Sequence, residues 1–160
     1  AKLLLVGDGP ERLKAEQQVR ELGIAQDVRF LGKQDAVGEL LAVSDLFLMP
    51  SETESFGLAA LEAMACEVPV ISSNAGGIPE INQNGITGFM SNVGNVEDMA
   101  ANAIYILSDK ERLKQFRSNA LQQAQRFDIN RIMPLYEQYY KTILENCRLC
   151  KQNPAAKTTG

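Results

Sequence analysis

Short apolar runs alternate with helical patterns along the first half of the chain. The apolar runs have the length of strands and lie at 2–7, 27–32, 45–50, 68–72 and 85–89. Apolar or small residues recur at helical spacing over 10–23 and 35–44, and a third helix is expected to begin near Phe56. A short helical segment should follow the glycine-rich turn at 74–80.

From Val96 onward the pattern is helical throughout. Three apolar stripes predict three helices, and the first stripe consists of Val96, Met99, Ala100, Ala103, Ile104 and Leu107. The second stripe falls between Leu113 and Phe127, and the third ends at Leu144. Beyond this point the sequence is polar, so we expect one folded domain over 1–144 and a disordered polar tail over 145–160.

Strands that alternate with helices through short loops are typical of an α/β fold. We therefore expect a Rossmann-like parallel sheet with helices on both faces and a helical C-terminus. In such sheets ligands bind beyond the carboxyl ends of the strands. This rule narrows the search for a site to four loops, which lie at 7–10, 32–34, 51–57 and 73–80.

Composition excludes several classes of function. The net charge of −4 and the pI near 4.9 give nucleic-acid binding little electrostatic support. No apolar run approaches the roughly 20 residues of a transmembrane helix, and the N-terminus lacks a signal peptide's pattern, so we expect a cytoplasmic protein. The absence of histidine disfavours zinc chemistry. Cys147 and Cys150 form an isolated C-x-x-C, which we interpret as two inert thiols in a reducing compartment.

The segment "GDGPER" begins like a dinucleotide-binding fingerprint. Gly7 and Gly9 follow a predicted strand, but Arg12 occupies the position of the third glycine. Asp27, which has the spacing of a ribose-binding acid, opens the next strand instead of closing it. A tight turn that needs glycine's backbone freedom explains the pattern better. Because the turn faces the edge where ligands bind, Gly7 and Gly9 remain weaker site candidates.

The stretch "SETESFGLAALEAMA" is the strongest candidate for a site. If its helix begins near Phe56, the amides of Phe56, Gly57 and Leu58 are among the N–H groups without partners in the helix, and they could bind an anion such as a diphosphate. Gly57 would also let a ligand approach the backbone. As an alternative, Ser51 and Glu54 match a capping box that supports a helix starting earlier.

Glu62 lies among residues that look buried, namely Leu61, Ala63, Met64 and Ala65. An unpartnered buried carboxylate would cost several kcal/mol, so Glu62 should face either a cleft or a structural partner within this domain. Glu54 and Glu62 on one helix would be about 12 Å apart along its axis, whereas glycosidases hold their carboxyl groups about 5 to 9.5 Å apart. Two carboxylates that bind the two sugar units of a nucleoside diphosphate sugar fit this spacing better.

The turn "NAGGIPE" has two interpretations. Gly76 and Gly77 could bring backbone close to a ligand, with Glu80 nearby. Alternatively, the segment is a structural turn followed by a carboxylate that caps a helix.

These residues also resemble a known family. "ESFGLAALE" resembles the E-x7-E signature of retaining glycosyltransferases of the GT-B fold, family 4, and "LLLVGDGPE", "VRFLGKQDAVGELLAVSDLFLMPS", "EAMACEVPVISSNAGGIPEI" and "NGITGF" are similar to the C-terminal, donor-binding half of that family. The resemblance covers residues 2–144. Within the family, the run from Gly32 to Glu80 looks most like the enzymes that make N-acetylglucosaminyl malate in bacillithiol biosynthesis.

The resemblance implies roles for individual residues. Glu54 would be the catalytic-site residue that contacts donor-sugar hydroxyls, and the backbone at Phe56, Gly57 and Leu58 would contact the sugar and diphosphate. Glu62 would accept hydrogen bonds from the ribose. The base would lie near Phe30, Leu31, Gly32 and Lys33. The family uses a UDP-sugar or a related donor and needs no metal or other cofactor.

The chain also departs from the family pattern. The acceptor-binding N-terminal domain is missing, as are the first strand and helix of the donor domain with their Arg and Lys. We therefore expect an excerpt of a longer enzyme that is inactive alone. Two other functions stay open, a non-catalytic nucleotide-binding domain of flavodoxin-like topology and an epimerase of nucleotide sugars.

Overall fold

The computed structural model describes the backbone of residues 1–152 and the side chains of residues 1–147. The chain divides into two compact units, residues 1–43 and residues 44–160. Each unit contains a parallel sheet and helices that follow its strands. The predicted α/β class with parallel strand pairing is therefore confirmed.

The first unit has two strands and two helices. β1 (Leu3–Val6) pairs in parallel with β2 (Val28–Gly32). α1 (Arg12–Glu21) connects the two strands, and α2 (Val37–Ala42) follows the second. Both predicted strands and both predicted helices of this part are confirmed within one or two residues at each end.

The second unit contains a three-stranded parallel sheet of order β3-β4-β5. The strands are β3 (Phe47–Met49), β4 (Val70–Ser73) and β5 (Gly88–Ser91). The helices are α3 (Leu58–Ala65), α4 (Ile78–Ile81), α5 (Val96–Leu107), α6 (Lys110–Ala124) and α7 (Ile129–Gln152), and a 3-10 turn at Gln125–Phe127 joins the last two.

Successive residues of β4 point to opposite faces of this sheet, as the period of a strand requires. Ile71 packs on one face in a cluster with Met99, Ile106 and Phe116 from α5 and α6. Ser72 points to the other face, where its hydroxyl accepts a hydrogen bond of 2.9 Å from the Asn82 amide at the end of α4. All four residues of β4 are buried, as expected for the central strand of a parallel sheet.

Asn82 joins α4 to two strands. Its amide also donates to the carbonyl oxygens of Val70 at 3.2 Å and Phe89 at 3.3 Å. The hydroxyl of Thr87 in turn donates to the Asn82 side-chain oxygen at 2.9 Å. Because Asn82 is completely buried, these bonds satisfy polar groups that would otherwise be costly to bury, and they hold α4 against β4 and β5.

Three sequence-based expectations are wrong in detail. The continuously apolar run at 45–50 is typical of a strand that is covered on both faces, but Leu48 in β3 is 44% exposed. In α5 the buried residues are Met99 and Ile106, whereas Val96 and Ile104 of the predicted stripe are exposed. α7 continues to Gln152 instead of ending near Leu144, and no proline or glycine lies between Leu144 and Gln152 to end it earlier.

The rest of the predicted tail, 153–160, lies outside the described residues, as does the side chain of Cys150. Cys147 is a free and exposed thiol. None of the described helices is both long and apolar enough to cross a membrane.

Candidate functional site

α3 begins later than expected, and glycine is the reason. Gly57 is the N-cap residue, with φ +94°, a left-handed conformation that side-chain-bearing residues adopt with strain. The helix therefore starts at Leu58, two residues after Phe56. No side chain caps it, and the N–H groups of its first turn, at Leu58 and Ala59, have no partner within the helix.

Glu54 precedes this helix in a non-helical loop and is already hydrogen-bonded. One oxygen of its carboxylate, Oε1, accepts from the Ser55 amide at 3.0 Å and the Gly57 amide at 3.2 Å. Within the described residues, the other oxygen, Oε2, has no hydrogen-bond partner. The proposed capping box with Ser51 is wrong, since residues 51–57 are not helical. The Gly57 amide, expected to be free for an anion, donates to Glu54 instead.

Glu62 lies on α3 and its side chain is exposed, although its neighbours in the chain are apolar. The helix buries Ala60, Ala63 and Met64. Because each residue turns the helix by about 100°, Glu62 lies about 200° from both Ala60 and Met64, on the opposite face. Its carboxylate makes no hydrogen bond or ion pair in the part of the chain that the structure describes. The structural-partner alternative therefore finds no support there.

The exposed face of α3 borders a cavity of about 330 Å³ within the second unit. Glu62 and Asp128 contribute carboxylates to an otherwise mainly apolar lining. The complete lining is Leu58, Leu61, Glu62, Ala65, Leu121, Ala124, Gln125, Phe127 and Asp128. The lining residues from the end of α6 onward were not predicted from the sequence. No sequence pattern near these residues indicates that they lie beside α3. In the structure, Phe127 makes an edge-to-face contact with Phe56, which precedes α3, and the ring centroids are 5.9 Å apart.

The premise that Glu54 and Glu62 share one helix is wrong. Glu54 belongs to the loop after β3, and only Glu62 belongs to α3. The estimate of about 12 Å along a common axis therefore no longer applies. Along the chain, Glu54 and Glu62 still lie on either side of the start of α3, and neither takes part in an ion pair among the described residues.

The glycine turn after β4 packs against the Glu54 loop. The Gly77 amide donates to the Glu54 carbonyl oxygen at 3.3 Å. A Cβ atom on Gly76 would lie 1.6 Å from that oxygen, and one on Gly77 would lie 2.5 Å from the Ser55 carbonyl oxygen. The close approach that these glycines permit is thus to another part of the chain. Glu80 is exposed on α4, and no side chain caps that helix, so the capping alternative for Glu80 is wrong.

The other predicted site residues belong to the first unit. The Gly7 amide donates to the Gly32 carbonyl oxygen at 2.7 Å, so the turns after β1 and β2 are directly linked. A Cβ on Gly7 or Gly9 would meet nothing within 4 Å, so close packing does not explain these glycines. Leu31 and Gly32 are half-buried at the end of β2.

Arg12, which stands where the fingerprint needs its third glycine, is tied to its own helix. Its guanidinium donates to Glu16 at 2.9 Å and lies 4.0 Å from Asp8. The hydrogen bond to Glu16 raises the pKa of Arg12 above its ordinary value, and the charges of Glu16 and Asp8 add to the effect. Among the described residues, no group of three acidic, cysteine or histidine side chains could hold a metal ion.

Comparison with known proteins places the chain in a family. The family described as "Glycosyl transferases group 1" matches residues 1–123. N-acetyl-alpha-D-glucosaminyl L-malate synthase of Bacillus anthracis is 48% identical over 147 residues, which cover 91% of this chain and 39% of that protein. Sulfoquinovosyl transferase of Arabidopsis thaliana is 35% identical over 133 residues, 80% of this chain and 25% of its own length. The chain thus spans two fifths or less of the length of these relatives.

Solved structures agree with this placement. The Anabaena protein HepE in complex with UDP superposes with a TM-score of 0.80 at 31% identity, over 91% of this chain and 41% of HepE. Sucrose-phosphate synthase from Thermosynechococcus elongatus gives a TM-score of 0.80 at 29% identity, over 91% of this chain and 39% of that enzyme. The resemblance drawn from the residues, including its GT-B fold, is confirmed, and the chain belongs to the group 1 family of glycosyl transferases.

Proposed function

We propose that this chain is the donor-binding part of a retaining glycosyltransferase that moves a hexosyl group, N-acetylglucosamine, from UDP to an acceptor such as malate. The observation that carries the proposal is the arrangement around the start of α3. An uncapped helix N-terminus lies between one carboxylate in the preceding loop and a second on the helix. The relative from Bacillus anthracis and the UDP complex of HepE support the choice of donor.

In this proposal the diphosphate lies at the N-terminus of α3. The first-turn amides of Leu58 and Ala59 and the positive end of the helix dipole stabilise its negative charge. As the bond between sugar and phosphate breaks, charge develops on the departing diphosphate, and donors that are already oriented stabilise it. Phe56 and Gly57 contribute backbone beside the sugar, although the Gly57 amide itself is engaged by Glu54.

Glu54 and Glu62 bind the two sugar units. Oε1 of Glu54 is occupied by two backbone amides, which leaves Oε2 to accept from a hydroxyl of the donor sugar. Glu62 accepts from the ribose hydroxyls, and its exposed and unpaired carboxylate is available for this role. No metal or other cofactor takes part in the proposed reaction.

The complete activity requires a second, acceptor-binding domain. The share of the relatives' length that this chain spans, 39% for the relative from Bacillus anthracis, supports that expectation. We therefore propose that the chain alone transfers no sugar and that the longer enzyme acts in the cytoplasm. Sugar transfer by the isolated 160 residues would contradict this part of the proposal.

Substitution of Glu62 by glutamine tests the ribose contact. Calorimetric titration of the chain with UDP should show affinity at least tenfold lower for Glu62→Gln, because a hydrogen bond to a charged group is worth about 1.5 to 3 kcal/mol. Glu97→Gln, an exposed glutamate on α5 outside the site, is the matched control and should stay within twofold of the wild type. Equal UDP affinity for both variants, or no UDP binding by the wild type, would contradict the proposal.

A further inference from the structure

The turn that contains Gly76 and Gly77 touches the backbone of the Glu54 loop more closely than any side-chain-bearing residue could. A Cβ on Gly76 would lie 1.6 Å from the Glu54 carbonyl oxygen. A Cβ on Gly77 would lie 2.5 Å from the Ser55 carbonyl oxygen and 2.9 Å from the Phe56 Cα. All of these neighbours are backbone atoms, so a rotamer change cannot relieve the overlap.

The two glycines are required for different reasons. Gly76 has φ +52°, so the backbone conformation alone already favours glycine. Gly77 has φ −82° and ψ −2°, which any residue can adopt. The need for glycine at Gly77 therefore comes only from its contact with the Glu54 loop.

The far end of the same loop is held by α4. A Cβ on Gly57 would lie 2.7 Å from the Cδ1 atom of Ile78 and 3.0 Å from that of Ile81. Since the Gly57 amide donates to Oε1 of Glu54, the position of Gly57 also sets the orientation of that carboxylate. Asn82 in turn fixes the end of α4 to β4 and β5.

We infer that Gly76 and Gly77 are positioning residues for Glu54, and that the turn and α4 together set the direction of its unpartnered oxygen, Oε2. The Gly77 amide holds the Glu54 carbonyl, while Ile78 and Ile81 set the position of Gly57. The consequence for donor binding rests on the proposed function, in which Oε2 accepts from the donor sugar. The positioning itself depends only on contacts within the chain.

Amide hydrogen exchange on the chain tests the positioning directly. In Gly77→Ala the new methyl group must displace the Ser55 and Phe56 backbone, so the Gly57 amide should exchange at least tenfold faster than in the wild type. The exchange rates of the β4 amides in Gly77→Ala should stay within threefold of their wild-type values. Gly38→Ala is the matched control, because Gly38 also lacks a positive φ and its Cβ would meet nothing within 4 Å. Unchanged protection of Gly57 in Gly77→Ala would overturn the inference.

Ligand titrations then test the consequence. Gly77→Ala should lower the affinity for UDP-N-acetylglucosamine at least fivefold and leave the affinity for UDP within twofold of the wild type, because only the N-acetylglucosamine unit reaches Glu54. A merely structural defect would lower both affinities equally. In a Glu54→Gln background, Gly77→Ala should add less than a twofold further loss, since both changes act on the same carboxylate.

The two proposals fail in different ways. If Glu54→Gln leaves the ratio of the affinities for UDP-N-acetylglucosamine and UDP unchanged, the proposed contact between Glu54 and the donor sugar is wrong. The exchange rate of the Gly57 amide still tests the positioning inference in that case. If Glu54→Gln removes the preference and Gly77→Ala does not, the positioning inference is wrong and the sugar contact stands. Should Gly77→Ala not fold, Ile78→Val removes the Cδ1 atom beside Gly57. It should then produce at least a threefold faster exchange of that amide, and no change would overturn the inference.

Discussion

The side chain of Glu54 accepts a hydrogen bond of 3.2 Å from the backbone amide of Gly57, the residue at the N-cap position of α3. The backbone at the start of α3 therefore orients the carboxylate that we propose for sugar binding before any ligand binds. Preorganisation of this kind lowers the entropic cost of binding, because the side chain is already ordered. It also makes the start of α3 and the candidate site one structural unit.

The first prediction separates the structural role of Glu54 from its role in binding. Glu54→Gln keeps an oxygen that can accept from Ser55 and Gly57, so the free energy of unfolding should change by less than about 0.5 kcal/mol. Glu54→Ala removes both bonds and should cost about 1 to 2 kcal/mol. Urea unfolding of the three proteins measures the difference. Equal stability of the two variants would show that the backbone bonds to Glu54 contribute nothing.

The second prediction concerns the close packing of Gly57. Gly57→Ala should destabilise the chain by about 3 kcal/mol, because a left-handed alanine costs about 1 kcal/mol and its methyl group would overlap Ile78. Gly94→Ala is the control, since Gly94 has a similar φ of +79° and its Cβ would lie in open space. The control should cost only about 1 kcal/mol. Thermal unfolding that gives equal losses for both variants would contradict the contact with α4.

The third prediction concerns the buried amide of Asn82. Asn82→Ala leaves the Thr87 hydroxyl and the Ser72 hydroxyl without this partner, and it should cost about 3 kcal/mol. Asn92→Ala, at an exposed position, should change stability by less than about 0.5 kcal/mol. Urea unfolding measures both variants. A loss below about 1 kcal/mol for Asn82→Ala would contradict the importance of this network.

The fourth prediction is a pH dependence at the start of α6. The Asp109 carboxylate accepts hydrogen bonds from the Arg112 and Glu111 amides, and the bond from Arg112 is the main reason that the pKa of Asp109 lies below its ordinary value of 3.8. A lowered pKa means that the folded state favours the ionised form. The stabilisation is therefore complete above the unfolded pKa and is lost as the pH falls through the folded pKa.

Comparison with Asp109→Asn measures this effect, because asparagine can also cap a helix but does not titrate. The wild type should be the more stable protein at pH 7, and the difference in unfolding free energy should shrink as the pH falls below 3.8. A difference that stays constant from pH 7 to pH 2 would contradict the assignment to Asp109.

The order of strands and helices was accessible from the sequence because each element carries a local signal. The apolar runs of β4 and β5 and the periodic spacing along α6 depend on residues that are neighbours in the chain. The start of α3 also had a local signal that could have been used. A glycine in a first helical turn costs about 1 kcal/mol relative to alanine, and this favours a special conformation at Gly57.

It was harder to predict from the sequence which residues of an element are buried. Val96 and Ile104 fit an apolar stripe of α5 as well as Met99 and Ile106 do, but only the latter pair meets Ile71 and Phe116 in the core. The neighbours of Glu62 in the chain are apolar, but the helix turns Glu62 to the face opposite the buried Ala60 and Met64, and this became clear only from the bounds and burial of α3.

Local patterns in the amino-acid sequence were enough to predict the alternation of strands and helices, the family, and the two glutamates on either side of the start of α3. The support that Gly76 and Gly77 give to Glu54 became visible only in the folded chain, as did the residues around Phe127 that line the cavity beside Glu62. Parallel pairing, with Met49 beside Ser72, brings the ends of β3 and β4 together, and with them two loops that are distant in the chain. Periodicity predicts whether a segment is a strand or a helix, but a contact between two loops depends on strand register and packing, which no single stretch of sequence contains.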